Sequence, residues 1–303
     1  MQVPVLHRAR AIAPARTSLD SAQATRCAER ARYRRRLIGA ALVFGILLVP
    51  GCATQIKAPD AEHTDKVRVE RKDREFDLDT SIRRVEIVNR YGDITVKRQN
   101  ENAVGIHAVI QRLTPTFASL RLTSRREAGT LHIEVAYAKG VDPATPGRLD
   151  MAVFLPGTEP LALTTRDGTI DANRREGAIT ASSVSGRIRA SSRGRLVLHS
   201  DSGDIIAGAL GKHWSGTSRI ETGSGRIVLL VPTFGGITLD ASTGGKLSSN
   251  FGLSIHARAG GASTHARYGD GRSPLVVTSD RGEVILEQLV LIGDDGALPE
   301  DDD

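Results

Sequence analysis

A glycine two residues ahead of an aliphatic residue recurs through the second half of this chain. That pair limits the possible folds more than any other feature. It occurs at Gly168/Ile170, Gly177/Ile179, Gly186/Ile188, Gly194/Leu196, Gly203/Ile205, Gly225/Ile227, Gly235/Ile237, Gly245/Leu247 and Gly282/Val284, at spacings of 9, 9, 8, 9, 22, 10, 10 and 37. A period near nine is too short for a unit containing a helix and suits one strand plus one corner. In SVSGRIRA, Val184, Gly186, Ile188 and Ala190 share one parity, and Ser185, Arg187 and Arg189 share the other. The pattern predicts a thin aliphatic face inward and a polar face outward. Glycine suits a corner or a close approach of two backbones. One such unit cannot bury its own face, but a stack of them can. The expected fold is therefore an all-β, single-domain β-solenoid of short strands. Ile188, Leu196, Ile205 and Ile227 are its core rungs, and Arg187, Arg195 and Arg226 point outward. A β-sandwich of short strands is the alternative. The spacing of 22 accommodates an excursion around Trp214, the spacing of 37 holds ARAGGASTHARYGDGRS, and Gly92/Ile94 is a lone earlier copy.

Upstream, RRVEIVNRYGDITVKR, NAVGIHAVI, SLRLTS and TLHIEVAYA read as short β-branched strands broken by polar turns. Residues 138–148 form a Pro/Gly loop, and LDMAVFLPGTEPLALTTRDGTIDA gives two strands across a turn at Pro156-Gly157. Nothing after Cys52 shows a capped helical period.

Charge separates the chain into parts. The formal net charge is +6, from 41 Lys and Arg against 35 Asp and Glu. Residues 1–51 hold nine Arg against Asp20 and Glu29, which leaves 32 basic and 33 acidic residues in the remainder. The basic character belongs to the N-terminal extension, so no nucleic-acid partner is expected for the body. Arg34-Arg35-Arg36 precedes the apolar run 37–49, then Pro50, Gly51 and Cys52. A positive segment, a short apolar run and a small residue before the cut are the parts of a secretory signal. The run is shorter than the roughly 20 residues of a membrane span. The stretch 49–52, VPGC, resembles a bacterial lipobox, which implies lipidation of Cys52. An uncleaved signal anchor with an incidental Cys is the other reading. The expected organisation is a signal peptide over 1–51, a lipidated Cys and tether over 52–66, a β-solenoid over 67–293 and an acidic tail over 294–303. Ala53, in place of an Asp after the Cys, points to the outer membrane, facing the periplasm, in a host with two membranes. Cleavage at Cys52 removes Cys27, so no disulfide is expected in the exported domain.

Reactive chemistry is sparse. Gly244-Gly245-Lys246-Leu247 lacks the first glycine and the Ser or Thr of a phosphate loop. His at 7, 63, 107, 132, 199, 213, 256 and 265 are not paired at ligand spacing. Asp201, Asp204, Asp240, Asp270 and Asp280 stand beside corners, where turns ordinarily use Asp and Gly. Trp214 suits either a surface contact or a plug at one end of the coil. No catalytic residue, cofactor or metal is expected.

Residues 149–172 and 219–286 resemble the bacterial putative-adhesin family. They carry its V-x-Leu-Pro strand leading into Leu-x-Leu-Thr-Thr-x-x-Gly-x-Ile, and a final Thr-Ser-x-x-Gly-x-Val that closes the coil. The resemblance covers roughly 67–290. It implies β-helix-like strands, a tethered envelope location and no established catalytic residues. The expected function is a non-enzymatic envelope lipoprotein, adhesin-like, acting as a binding or scaffolding module. Its partners are the membrane, through the lipid, and an envelope protein or glycan. A polysaccharide-active lyase or hydrolase on a β-helix scaffold is the alternative, and it rests on fold analogy alone.

Overall fold

The computed structural model describes residues 68–78, 81–112, 120–137, 147–233 and 235–289, all within the compact unit Glu62–Asp303. The signal segment, Cys52, the tether, most of the 138–148 loop and the acidic tail lie outside the described residues. Every described regular element is a strand.

In chain order the strands begin with β1 (Arg68–Asp77), β2 (Arg84–Asn89), β3 (Ile94–Arg98), β4 (Ala103–Arg112), β5 (Arg121–Glu127), β6 (Thr130–Ala136) and β7 (Arg148–Leu155). The regular coil follows as β8 (Leu161–Thr165), β9 (Ile170–Arg175), β10 (Ile179–Ser183), β11 (Ile188–Ser192), β12 (Leu196–Ser200), β13 (Ile205–Ala209), β14 (Ser218–Thr222) and β15 (Ile227–Pro232). Then come β16 (Ile237–Thr243), β17 (Leu247–Ser249), β18 (His256–Arg258), β19 (Gly261–Tyr268), β20 (Ser273–Ser279) and β21 (Val284–Leu289). Successive coil strands alternate between two sheets. The first sheet has the order β1-β4-β7-β3-β9-β11-β13-β15-β21-β17, and the second β18-β19-β16-β20-β14-β12-β10-β8-β2-β6-β5. Neighbouring strands within the coil run parallel. Antiparallel pairing is confined to the ends: β1, β4 and β5 at one, β18 and β19 at the other. This is a solenoid of two strands per turn, so the period of nine is half a turn.

The inward residues stack in register because the units are nearly identical. Ile94, Ile170, Ile188, Ile205, Ile227, Val284 and Leu247 form one column across the first sheet. The first six are fully buried. Ala172, Ala190 and Ala207 lie beside them, which keeps the sheets close where they pack. The expected rungs Ile188, Leu196, Ile205 and Ile227 are all buried, and Arg187, Arg195 and Arg226 are exposed.

Rung order departs from chain order at both ends. The β2–β3 turn slots between β6–β7 and β8–β9, so the copy at Gly92 stacks directly on the turn that carries Gly168. The β20–β21 turn slots between β14–β15 and β16–β17. The final Gly-x-Val motif therefore sits one rung inside the end. The outermost turn is β16–β17, with the β18–β19 hairpin beside it. Both edges of the coil end in charged or very short strands: β1 reads RVERKDREFD, and β18 has three exposed residues. Such ends resist pairing with another chain.

Candidate binding surface

The two corners of each turn differ. Where the chain passes from the second sheet to the first, a column of glycines forms: Gly92, Gly168, Gly186, Gly203, Gly225 and Gly282. A Cβ built at Gly186 would overlap the carbonyl oxygen of Gly168, and the same holds up the column. Close approach, not a left-handed backbone, requires glycine here. Of this column only Gly92 has a positive φ, at 138°. Three residues before each glycine stands a small polar side chain that latches the corner. The Gly186 N–H donates to Ser183 Oγ at 2.8 Å, and the same bond joins Gly168 to Thr165, Gly203 to Ser200, Gly225 to Thr222 and Gly282 to Ser279. Several of these hydroxyls also donate to the neighbouring turn, as Thr222 does to the Gly203 carbonyl at 3.3 Å. Asn89 takes the place in the Gly92 turn, and its amide donates to the Leu149 carbonyl at 2.7 Å. The corner also corrects one parity assignment. Val184 and Ser185 both face solvent, because the inward residue ahead of Gly186 is Ser183.

The return corners, from the first sheet to the second, are irregular: 156–160, 176–178, 193–195 and 210–217. At the longest, Trp214 is buried. Its backbone N–H donates to Ser273 Oγ at 3.0 Å, and its indole N–H donates to the Pro274 carbonyl at 3.4 Å. It is buried within the stack, neither a surface contact nor a plug at one end of the coil, since its partners lie on β20 with β16 and β19 beyond. On β9 the register shifts and Arg174 takes a φ of 55°. That bulge turns Arg174 outward and the next residue, Arg175, into the core. Arg175 has 1 % of its side chain exposed and donates to the Leu155 carbonyl at 3.3 Å. Its Nη2 stands 3.9 Å from Glu159 Oε2. Burial pulls its pKa down to about 10 against the opposing pull of Glu159. The doubled Arg174-Arg175 at the end of an alternating strand was the available sign of this feature. Nearby, Arg98 and Arg193 share Glu176 at 3.9 and 3.6 Å.

The corner aspartates are dispersed and engaged. Asp204 accepts from the Arg226 N–H at 2.9 Å, Asp240 pairs with His265 at 2.6 Å, and Asp270 pairs with Arg272 at 3.0 Å. Asp201 and Asp280 come together with His199 and Glu221 in a shallow groove of about 370 Å³ on the outer face of the second sheet. Another groove, of about 470 Å³, lies over the first sheet among Asp73, Arg74, Gln99, Glu101, His107 and Phe154. There His107 meets Asp73 at 2.6 Å and stands edge-on to Phe154 at 5.1 Å. Among the described residues no group of three or more His, Cys, Asp or Glu could hold a metal ion. On the same outer face Ile206, Val228 and Ile285 stand in register on adjacent strands, half-buried, with Leu230 beside them.

No protein-family model and no curated protein matches the chain. Among solved structures, a putative cell adhesion protein from Clostridium sporogenes is similar over 73% of this chain and 100% of its own, at 12% identity and a TM-score of 0.47. A putative adhesin from Bacteroides fragilis is similar over 73% and 97%, at 7% identity and a TM-score of 0.26. A putative lipid binding protein from Parabacteroides distasonis is similar over 73% and 97%, at 9% identity and a TM-score of 0.20. At this level of likeness the functional reading rests on the chain's own geometry.

Proposed function

We propose that this chain is a non-enzymatic, adhesin-like binding or scaffolding module of the bacterial envelope, held to the membrane by a lipid on Cys52. The observation that carries the reading is the solenoid surface. Outward side chains are fixed on a lattice by in-register parallel pairing and by the corner latches. A lattice of this kind offers broad, preorganised faces, and preorganisation lowers the cost of binding. The half-buried aliphatic stripe of Ile206, Val228, Leu230 and Ile285 supports the same reading, since apolar residues grouped on an outer face mark interaction surfaces. The apolar run 37–49 ending at Gly51-Cys52 supports the anchor.

Two experiments test this. The full chain, immobilised, is used to capture partners from envelope extract and is applied to a glycan array. A retained protein or glycan is the expected result. Cleaved polysaccharide products without a retained partner would overturn it in favour of an enzyme. Separately, Cys52→Ser should release the protein from membranes and abolish labelling by a fatty-acid probe. Unchanged retention, with no label on the unaltered chain, would remove the anchor.

A further inference from the structure

We propose that the return edge is a docking rail for a linear anionic polysaccharide. This rests on the binding-module reading above and names its partner chemistry. Arg98, Arg174, Arg193 and Lys212 place an exposed cation at or within three residues of the C-terminal end of four successive first-sheet strands, β3, β9, β11 and β13, on the side where the return corners lie. Adjacent strands lie about 4.8 Å apart, so the four span roughly 14 Å. Arg195 stands beside Arg193. Neither Arg195 nor Lys212 has an ion-pair partner among the described residues, and Glu176 is shared between Arg98 and Arg193.

Two observations set this line apart from an ordinary solvated face. The repeat does not force like charges together. On the glycine edge the residues directly before the inward aliphatics run Arg187, Asp204, Arg226, Glu283, Lys246 in spatial order, alternating in sign, with the stacked Arg90 and Arg166 two positions before Gly92 and Gly168 outside that column. The cation on the β9 rung, moreover, is turned outward by a bulge with a left-handed backbone at a non-glycine residue. Strain of that kind persists where the surroundings impose it and clusters at binding sites.

The shape selects the partner. A line one corner wide fits a polymer strand, whereas a membrane plane would engage a broad face. Single-stranded nucleic acid is held on aromatic platforms, and the described aromatic residue at these corners, Trp214, is turned into the core. Guanidinium groups, one per rung, suit carboxylates or sulfates repeated along a sugar chain.

The test titrates the full chain in neutral detergent with polygalacturonate. Dextran is the uncharged comparison and phosphatidylglycerol vesicles the planar anionic one. The rail predicts binding to polygalacturonate alone, weakened by salt. Arg193→Gln/Lys212→Gln should weaken it about tenfold. Arg187→Gln/Arg226→Gln, on the glycine edge, should leave it unchanged. Equal loss from both pairs, or a preference for vesicles, would overturn the rail. So would binding that emerges only after removal of 293–303, which would assign the rail to the chain's own acidic segment. A partner captured equally well by the Arg193→Gln/Lys212→Gln variant would overturn the rail and leave the binding reading intact. Polygalacturonate binding with no envelope protein captured would support the rail and narrow the binding reading to glycans.

Discussion

The two edges of the solenoid are built from the same repeat and solve different problems. The glycine edge is uniform. Each turn brings a glycine against the neighbouring carbonyl, a small polar residue latches it, and the charges just before the inward aliphatics alternate from Arg187 to Lys246. The return edge varies in length, holds the Trp214 excursion and buries Arg175. One edge holds the spacing and register of the turns, so the other is free to change. A repeat protein can thus concentrate specificity on one corner series without loosening its core.

The largest expected effect tests the close approach on the glycine edge. Gly186→Val should cost about 3 kcal/mol or more in urea unfolding, because the added side chain meets backbone that cannot move aside. Gly252, where a Cβ meets nothing within 4 Å, should accept Val within about 0.5 kcal/mol. Equal effects would remove the distinction.

On the return edge the buried pair should behave asymmetrically. Glu159→Ala leaves Arg175 charged and uncompensated and should cost about 3 kcal/mol. Arg175→Met should be neutral or stabilising by about 1 kcal/mol. The folded-state pKa of Arg175 lies near 10, pulled below its ordinary value by burial. Unfolding therefore takes up a proton above pH 10, and native stability gains as pH rises through that value. Any advantage of Arg175→Met should narrow there. A strongly destabilised Arg175→Met would mean that the guanidinium holds the bulge together.

Smaller effects separate the latches from the surface. Ser183→Ala removes the acceptor of a buried N–H and should cost about 1–3 kcal/mol, whereas Ser202→Ala, exposed in the next corner, should stay within about 0.5. The outward charges matter least. Arg187→Ala and Arg226→Ala should each change stability by less than about 0.5 kcal/mol at moderate salt. A larger loss would promote the alternating column from a fine adjustment to a determinant of the stack.

Some of this was legible in the sequence for a physical reason. Ile188, Ile205 and Ile227 are inward because alternation is strict within a strand. Alternation fails through a corner, so a strict period of two places Val184 inward although it is exposed. The latch residues Ser183, Ser200 and Thr222 repeat three positions before each glycine, a period hidden by the more conspicuous Gly-x-Ile. The burial of Trp214 was not legible, because Ser273 and Pro274, its partners, lie about sixty residues away in sequence. Rung order was not legible either. A nine-residue unit at Gly92 or Gly282 fits many slots equally well on its own pattern, and caps and hairpins decide which one it takes. The cationic line on the return edge was obscured for the same reason, since Arg98 reaches Arg174 only once β3 lies beside β9.

The account depends most on that spatial order, and one measurement addresses it. With Cys27 and Cys52 replaced by Ser, two double-cysteine variants are oxidised under mild conditions. The Ile227 N–H donates to the Glu283 carbonyl at 2.8 Å, so positions 226 and 283 are neighbours across one strand spacing of about 4.8 Å. That is within the range of about 4.4–6.8 Å that a disulfide spans. Positions 226 and 246 lie two spacings apart, roughly 10 Å. The account predicts that Arg226→Cys/Glu283→Cys closes and Arg226→Cys/Lys246→Cys stays reduced. Closure of the second pair with the first left open would mean that the turns stack in chain order, and the charge alternation and corner columns argued from the inserted rung would go with it.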